Sequence, residues 1–321
     1  MLRAALLLSA CLLAACATRS WLRAESPHLV VYSEVDDVAT RDAIASLEGF
    51  AAFFRWATQC ERAPPSLLRV YLVDSESEFQ RTWPESTNTS CYVAAGGETF
   101  AMAIHEKSSQ EDQTSFFALL HAAAPHFEGC APPWLSAALA EYYAETVVEA
   151  AGDPHARYSN SRVDILHEQA WLELDALLGT TSIEDADVPI FDAEAFLLLR
   201  YFRSDPARRA QLARYVRAVR DEQNAVDAMR TSGVDLAELR AELELYFART
   251  VQFQPYYAST VVPVADDDEE ALETHRAQKK AKPAPVELSR LPTAETENLL
   301  EQRRAKLGNA VARCEPDRSQ L

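Results

Sequence analysis

The run FFALLHAAAPHFEGCAPPWLSAALAEYYAET, from Phe116 to Thr146, decides how the rest of the chain is read. It holds two apolar, alanine-rich segments joined by a short polar loop, with His121 and His126 in the first and Glu141 in the second. An α-helix turns about 100° per residue, so partners four apart lie roughly 40° apart around the axis and partners five apart roughly 140°. His121 and His126 are five apart and point to different faces of any regular helix. Pro125, between them, lacks a backbone donor, and its ring clashes one turn back at a cost of about 3 kcal/mol inside a helix.

The frame resembles that of the peptidase-MA-like gluzincins, zinc metallopeptidases that include bacterial members of uncharacterised function. There one helix carries H-E-x-x-H, whose two histidines bind zinc from one face while the glutamate acts as general base. A second helix carries the third ligand, followed by an acid that orients a ligand histidine. Laid on that pattern, His121 keeps the first histidine, Ala122 stands where the general base belongs and Pro125 where the second histidine belongs. Pro132, Trp134, Leu135, Leu139, Ala140, Tyr142 and Tyr143 fit the second helix. Ala137 stands in the place of the third ligand, and Glu141 matches the orienting acid.

The resemblance covers roughly residues 21–250 and implies an α+β, zincin-like fold: a small mixed sheet with helices, then a helical subdomain. It implies a vestigial site framed by His121, Trp134 and Glu141, with no catalytic residue and no metal bound. Two other stretches, His105-Glu106 and His167-Glu168, begin like the zinc motif but lack its second histidine and read as surface or loop features.

The N-terminus reads as an export signal over residues 1–15. Arg3 supplies the charge, Ala4 to Leu13 the apolar run, and that run is too short to span a bilayer. Leu13-Ala14-Ala15-Cys16 resembles the lipobox of bacterial lipoproteins, which makes Cys16 the expected lipid attachment site. Leu8-Ser9-Ala10-Cys11 has the same form, but cleavage there leaves too little apolar core. Several acyl chains on one cysteine anchor firmly, at about 0.8 kcal/mol per buried methylene. Ala17 after the cysteine implies, by the same resemblance, an outer-membrane protein facing the periplasm. Cys60, Cys91, Cys130 and Cys314 then lie in an oxidising compartment that permits disulfides. Sequence leaves their pairing open, with a lean towards Cys60 and Cys91, which flank the early sheet.

Of 321 residues 48% are hydrophobic, enough for a substantial core, and the net charge of −18 argues against nucleic acid as a partner. His28 to Ser33 and Leu67 to Asp74 read as strands, and Cys91 to Ala95 with Thr99 to Ile104 as a strand pair around Gly96-Gly97. Val38 to Gln59 is an amphipathic helix whose stripe Phe50, Phe53, Phe54 and Trp56 belongs in a core. Helices are expected over Ser77–Trp83, Phe191–Phe202, from Pro206 to about Asp221 behind an Asp205 cap, over Ala225–Arg230, and from Leu236 behind an Asp235 cap.

These elements divide the chain into a tether (16–26), a core (27–147), a helical subdomain (148–255), a disordered charged linker (261–292) and a terminal helix (293–314). Three functions follow as expectations. One is a catalytically inactive metallopeptidase-like lipoprotein with a binding or scaffolding role at the periplasmic membrane face, its old cleft open to a protein or peptide ligand. Another is an active zinc hydrolase with unusual ligands, such as His121 with Glu141 or Glu145. The last is a structural envelope lipoprotein.

Overall fold

A computed structural model describes residues 21–60, 66–82, 88–95, 98–105, 119–120, 123–124, 126, 131–150, 160–180, 188–221, 223–251, 286–292, 294–295, 298, 302 and 312–316. The fold is α+β. The strands are β1 (Leu22–Glu25), β2 (Leu29–Ser33), β3 (Leu68–Val73), β4 (Asn88–Ala95), β5 (Glu98–Ile104), β6 (Leu288–Arg290) and β7 (Ala312–Pro316). They form one mixed sheet in the order β6-β1-β2-β3-β5-β4-β7. β2, β3 and β5 run parallel, and every other neighbouring pair is antiparallel.

The central strands are near-continuous apolar runs because both faces of the sheet are covered. Leu29 and Val31 of β2, Leu68, Val70 and Leu72 of β3, and Ala101 and Ala103 of β5 face the main core. The alternate residues Val30, Tyr32, Tyr71, Val73, Phe100, Met102 and Ile104 pack on the other face with Trp21, Phe79 and Leu291. Tyr32 stacks on Tyr71 across the parallel pair, with ring centroids 5.1 Å apart.

Helix α1 (Asp37–Thr58) begins where the Asp36 carboxylate accepts from the Val38 and Ala39 amides, and ends at Gln59 in the left-handed conformation (φ 49°). Phe50, Phe53 and Phe54 of its aromatic stripe are buried, as the sequence periodicity predicts. α2 (Glu76–Thr82) lies under the second face of the sheet through Phe79. α3 (Pro133–Ala150) starts with a proline at its first position, and the Pro132 carbonyl accepts from the Leu135 and Ser136 amides. α1 lies against α3 at Gly49, where a Cβ would run into the Tyr143 hydroxyl.

The remaining helices are α4 (Asn160–Glu168), α5 (Leu174–Gly179), α6 (Val188–Arg203), α7 (Pro206–Arg220), α8 (Ala225–Thr231) and α9 (Leu236–Tyr246). Asp205, Asn224 and Asp235 cap α7, α8 and α9 by accepting backbone N–H groups. α6 is buried along most of its length and packs on both α3 and α4. None of the helices among the described residues is long and apolar enough to cross a membrane.

Several expected boundaries shift. The tether expected over 16–26 contains β1, which pairs with β2 and with β6. The linker expected over 261–292 contains β6 itself, and residues 261–285 lie outside the described ones. The terminal helix expected over 293–314 ends in β7, where antiparallel pairing with β4 overrides local preference. Helical backbone is described there only at 294–295, 298 and 302. The expected border at 147/148 falls inside α3, and one hydrophobic cluster runs from Leu29 to Phe247 across it. The helical part is therefore packed into the same core as the sheet.

Candidate functional site

The frame read from sequence is held by α3 and by the short helical stretch before it. Leu119, Leu120, Ala123 and Ala124 are buried in the main core. His121, Ala122 and Pro125 lie outside the described residues.

Glu141 projects from the middle of α3 into the interior and is fully buried. Its carboxylate meets the guanidinium of Arg162, from the first turn of α4, as an ion pair whose arginine side chain is only 6% exposed. The Arg162 guanidinium also lies over the Phe196 ring of α6, 5.0 Å from its centroid, with the buried Arg200 5.5 Å from the same ring. An anion in the interior is tolerable only when paired and hydrogen-bonded, and Arg162 supplies the opposite charge. Arg162 was not singled out from sequence. A faint signal was available: it stands four residues before the buried Leu166, on the inward side of α4.

His126 is buried at the sheet end where β3 and β5 begin. One ring nitrogen, Nε2, lies 3.0 Å from the Ser66 carbonyl, and Nδ1 lies 2.8 Å from the Thr99 hydroxyl. A carbonyl can only accept, so Nε2 carries the proton and Nδ1 accepts from Thr99. Burial holds the imidazole pKa down to about 4, so the ring is neutral at ordinary pH. Both nitrogens are thus engaged in tying the stretch before α3 to the sheet.

Trp134 is fully buried, its indole N–H donating to the Tyr215 hydroxyl at 2.7 Å with the two rings 5.6 Å apart. Sequence reasoning placed Trp134 in the vestigial frame; α7 brings Tyr215 over it and satisfies its only donor. Ala137 is buried and offers a methyl group where the frame calls for a donor. Proline and alanine side chains have no lone pair to give, so the frame's positions do not furnish the three protein ligands that zinc takes. Glu145 lies in α3, but its side chain is outside the described residues.

Of the two H-E pairs, His105, His167 and Glu168 are described. His105 follows β5 and donates its backbone N–H to Val73, and Glu106 lies outside the described residues. His167 and Glu168 are exposed at the end of α4, with the His167 ring 5.0 Å from Phe247. Among the described residues, His, Cys, Asp and Glu side chains nowhere gather in threes as a metal-holding group.

The chain matches no protein-family model and no curated protein.

Another buried carboxylate belongs to α6 itself. Glu194 is fully buried, accepts the Leu172 backbone N–H at 2.7 Å, and has Arg240 of α9 4.0 Å away. Arg240 also donates to the Leu172 carbonyl. Burial pushes the Glu194 pKa up to about 7, only partly opposed by Arg240. The group joins the segment before α5 to α6 and α9.

Proposed function

We propose that this chain is a non-catalytic, lipid-anchored member of the zincin-like fold, with a binding or scaffolding role at the periplasmic face of the outer membrane. The observation that carries the reading is the Glu141–Arg162 pair. In a working gluzincin the matching acid orients a histidine that binds zinc. Here that acid is turned to a guanidinium, and a fixed cation beside it opposes a dication in the same place. The engagement of His126 by Ser66 and Thr99 supports the same reading, since it occupies both ring nitrogens of the other histidine in the run. An active hydrolase would need new ligands and a new base together.

The burial of Trp134 favours a second reading, a structural envelope lipoprotein in which the frame is only a packing unit. On that reading any partner meets the acidic surface rather than an interior cleft.

Zinc content of the purified, dialysed full-length protein in detergent tests the proposal. The expected result is far less than one zinc per chain. Near-stoichiometric zinc that disappears in His121→Ala would overturn it and restore the active-hydrolase reading.

A further inference from the structure

We propose that Cys91 and Cys314 form a disulfide that pins β7 to β4. The two residues are direct partners in the antiparallel ladder, in a register that runs unbroken from Ser90 opposite Glu315 to Val93 opposite Ala312. The register irregularity of this pair lies before Ser90, so it leaves the cysteines opposed. Directly opposed antiparallel residues share one face of a sheet, with Cα atoms about 4.5 or about 5.5 Å apart according to the pair type. Both spacings fall inside the Cα separation of roughly 4.4–6.8 Å that a disulfide spans.

The remaining cysteines agree with this assignment. Cys60 is disulfide-bonded. With Cys91 opposite Cys314, the cysteine left for it beyond the signal region is Cys130, which lies outside the described residues. His126, four residues before Cys130 in sequence, donates to the carbonyl of Ser66, six residues after Cys60. The lean towards Cys60 with Cys91 is replaced by this pairing.

Formation needs a dithiol oxidant of the protein-disulfide class. The Cys91 thiolate attacks one sulfur of that disulfide and expels the other as a thiolate. The Cys314 thiolate then displaces the bound sulfur, the new S–S bond closes, and the oxidant leaves as a dithiol with both electrons and both protons. The bond holds a short strand over the edge of β4. Without β7, that edge would present unpaired N–H and C=O groups to any extended chain.

Peptide mapping without reductant tests the assignment. The full-length chain is purified in detergent, incubated with oxidised glutathione, alkylated and digested. Oxidation in vitro separates the result from the question of where the protein resides. The expected result is one cross-linked peptide pair containing Cys91 and Cys314, lost on reduction. In Cys314→Ser that pair should vanish and Cys91 should be alkylated while Cys60 stays bonded. Cys60 joined to Cys91 or Cys314, or Cys91 and Cys314 both alkylated beside an oxidised Cys60, would overturn the proposal.

Discussion

Arg162 of α4 closes over Glu141 of α3 as a buried ion pair, at the position where the sequence frame calls for an acid that serves a metal ligand. The pair ties α3 to α4, and Phe196 of α6 forms the floor beneath the guanidinium.

Removing one partner should be costly and removing both should not. Arg162→Met leaves a carboxylate buried without its cation, and losses of about 3–5 kcal/mol are typical of such changes. Glu141→Leu with Arg162→Met exchanges the pair for apolar packing and should recover most of that loss. Urea unfolding of the three proteins checks this. A single variant as stable as the wild type would mean that water reaches the pair.

His126 should make the fold acid-sensitive. Its folded pKa, about 4, lies below the ordinary value of 6.5. A depressed pKa contributes stability that is present above pH 6.5 and is lost as pH falls through about 4. The wild type should therefore lose more stability over that window than His126→Gln, by up to about 3 kcal/mol. Denaturant titrations at several pH values compare the two slopes, and parallel slopes would refute the assignment.

Glu194 should act in the opposite sense. Its pKa is raised from 4.5 to about 7, so the folded state holds a proton that the unfolded chain releases. Its contribution is fully present below pH 4.5 and is lost as pH rises through about 7. Glu194→Gln should remove that dependence and gain on the wild type at alkaline pH, by about 3 kcal/mol at most. Thermal melts at pH 5 and pH 8, with wild type and variant side by side, give the comparison.

Cys16 should carry lipid when the chain is made in a bacterial host. Metabolic labelling with a fatty acid should mark the wild type and leave Cys16→Ser unmarked. Label that persists in the variant would move the anchor to Cys11 or elsewhere.

The elements that could be read from sequence are those whose local pattern and tertiary fate agree. β2, β3 and β5 are apolar runs because two layers cover them, and α1, α7 and α9 announce themselves by cap residues and period. β1, β6 and β7 read LRAE, LSR and ARCEP, too short and too polar to signal a strand. Partners distant in sequence make them strands, and no window on the chain contains that information. The site divides in the same way. The frame of Trp134, Ala137 and Glu141 is visible because it lies on one helix. Arg162 and Tyr215 come from elsewhere in the chain, and they decide what Glu141 and Trp134 do.

Both outer strands of the sheet, β6 and β7, follow β1–β5 and α1–α9 in the chain. Until β6 and β7 are synthesised, β1 and β4 lack these neighbours on their outer sides. The nascent protein is therefore a sheet open at two ends until translation has passed Pro316, and exposed edges of this kind recruit other chains. A messenger cut short before Leu288 would yield a product with most of its core residues and neither border. For such a product aggregation competes directly with folding, which makes β6 and β7 the guard against misassembly.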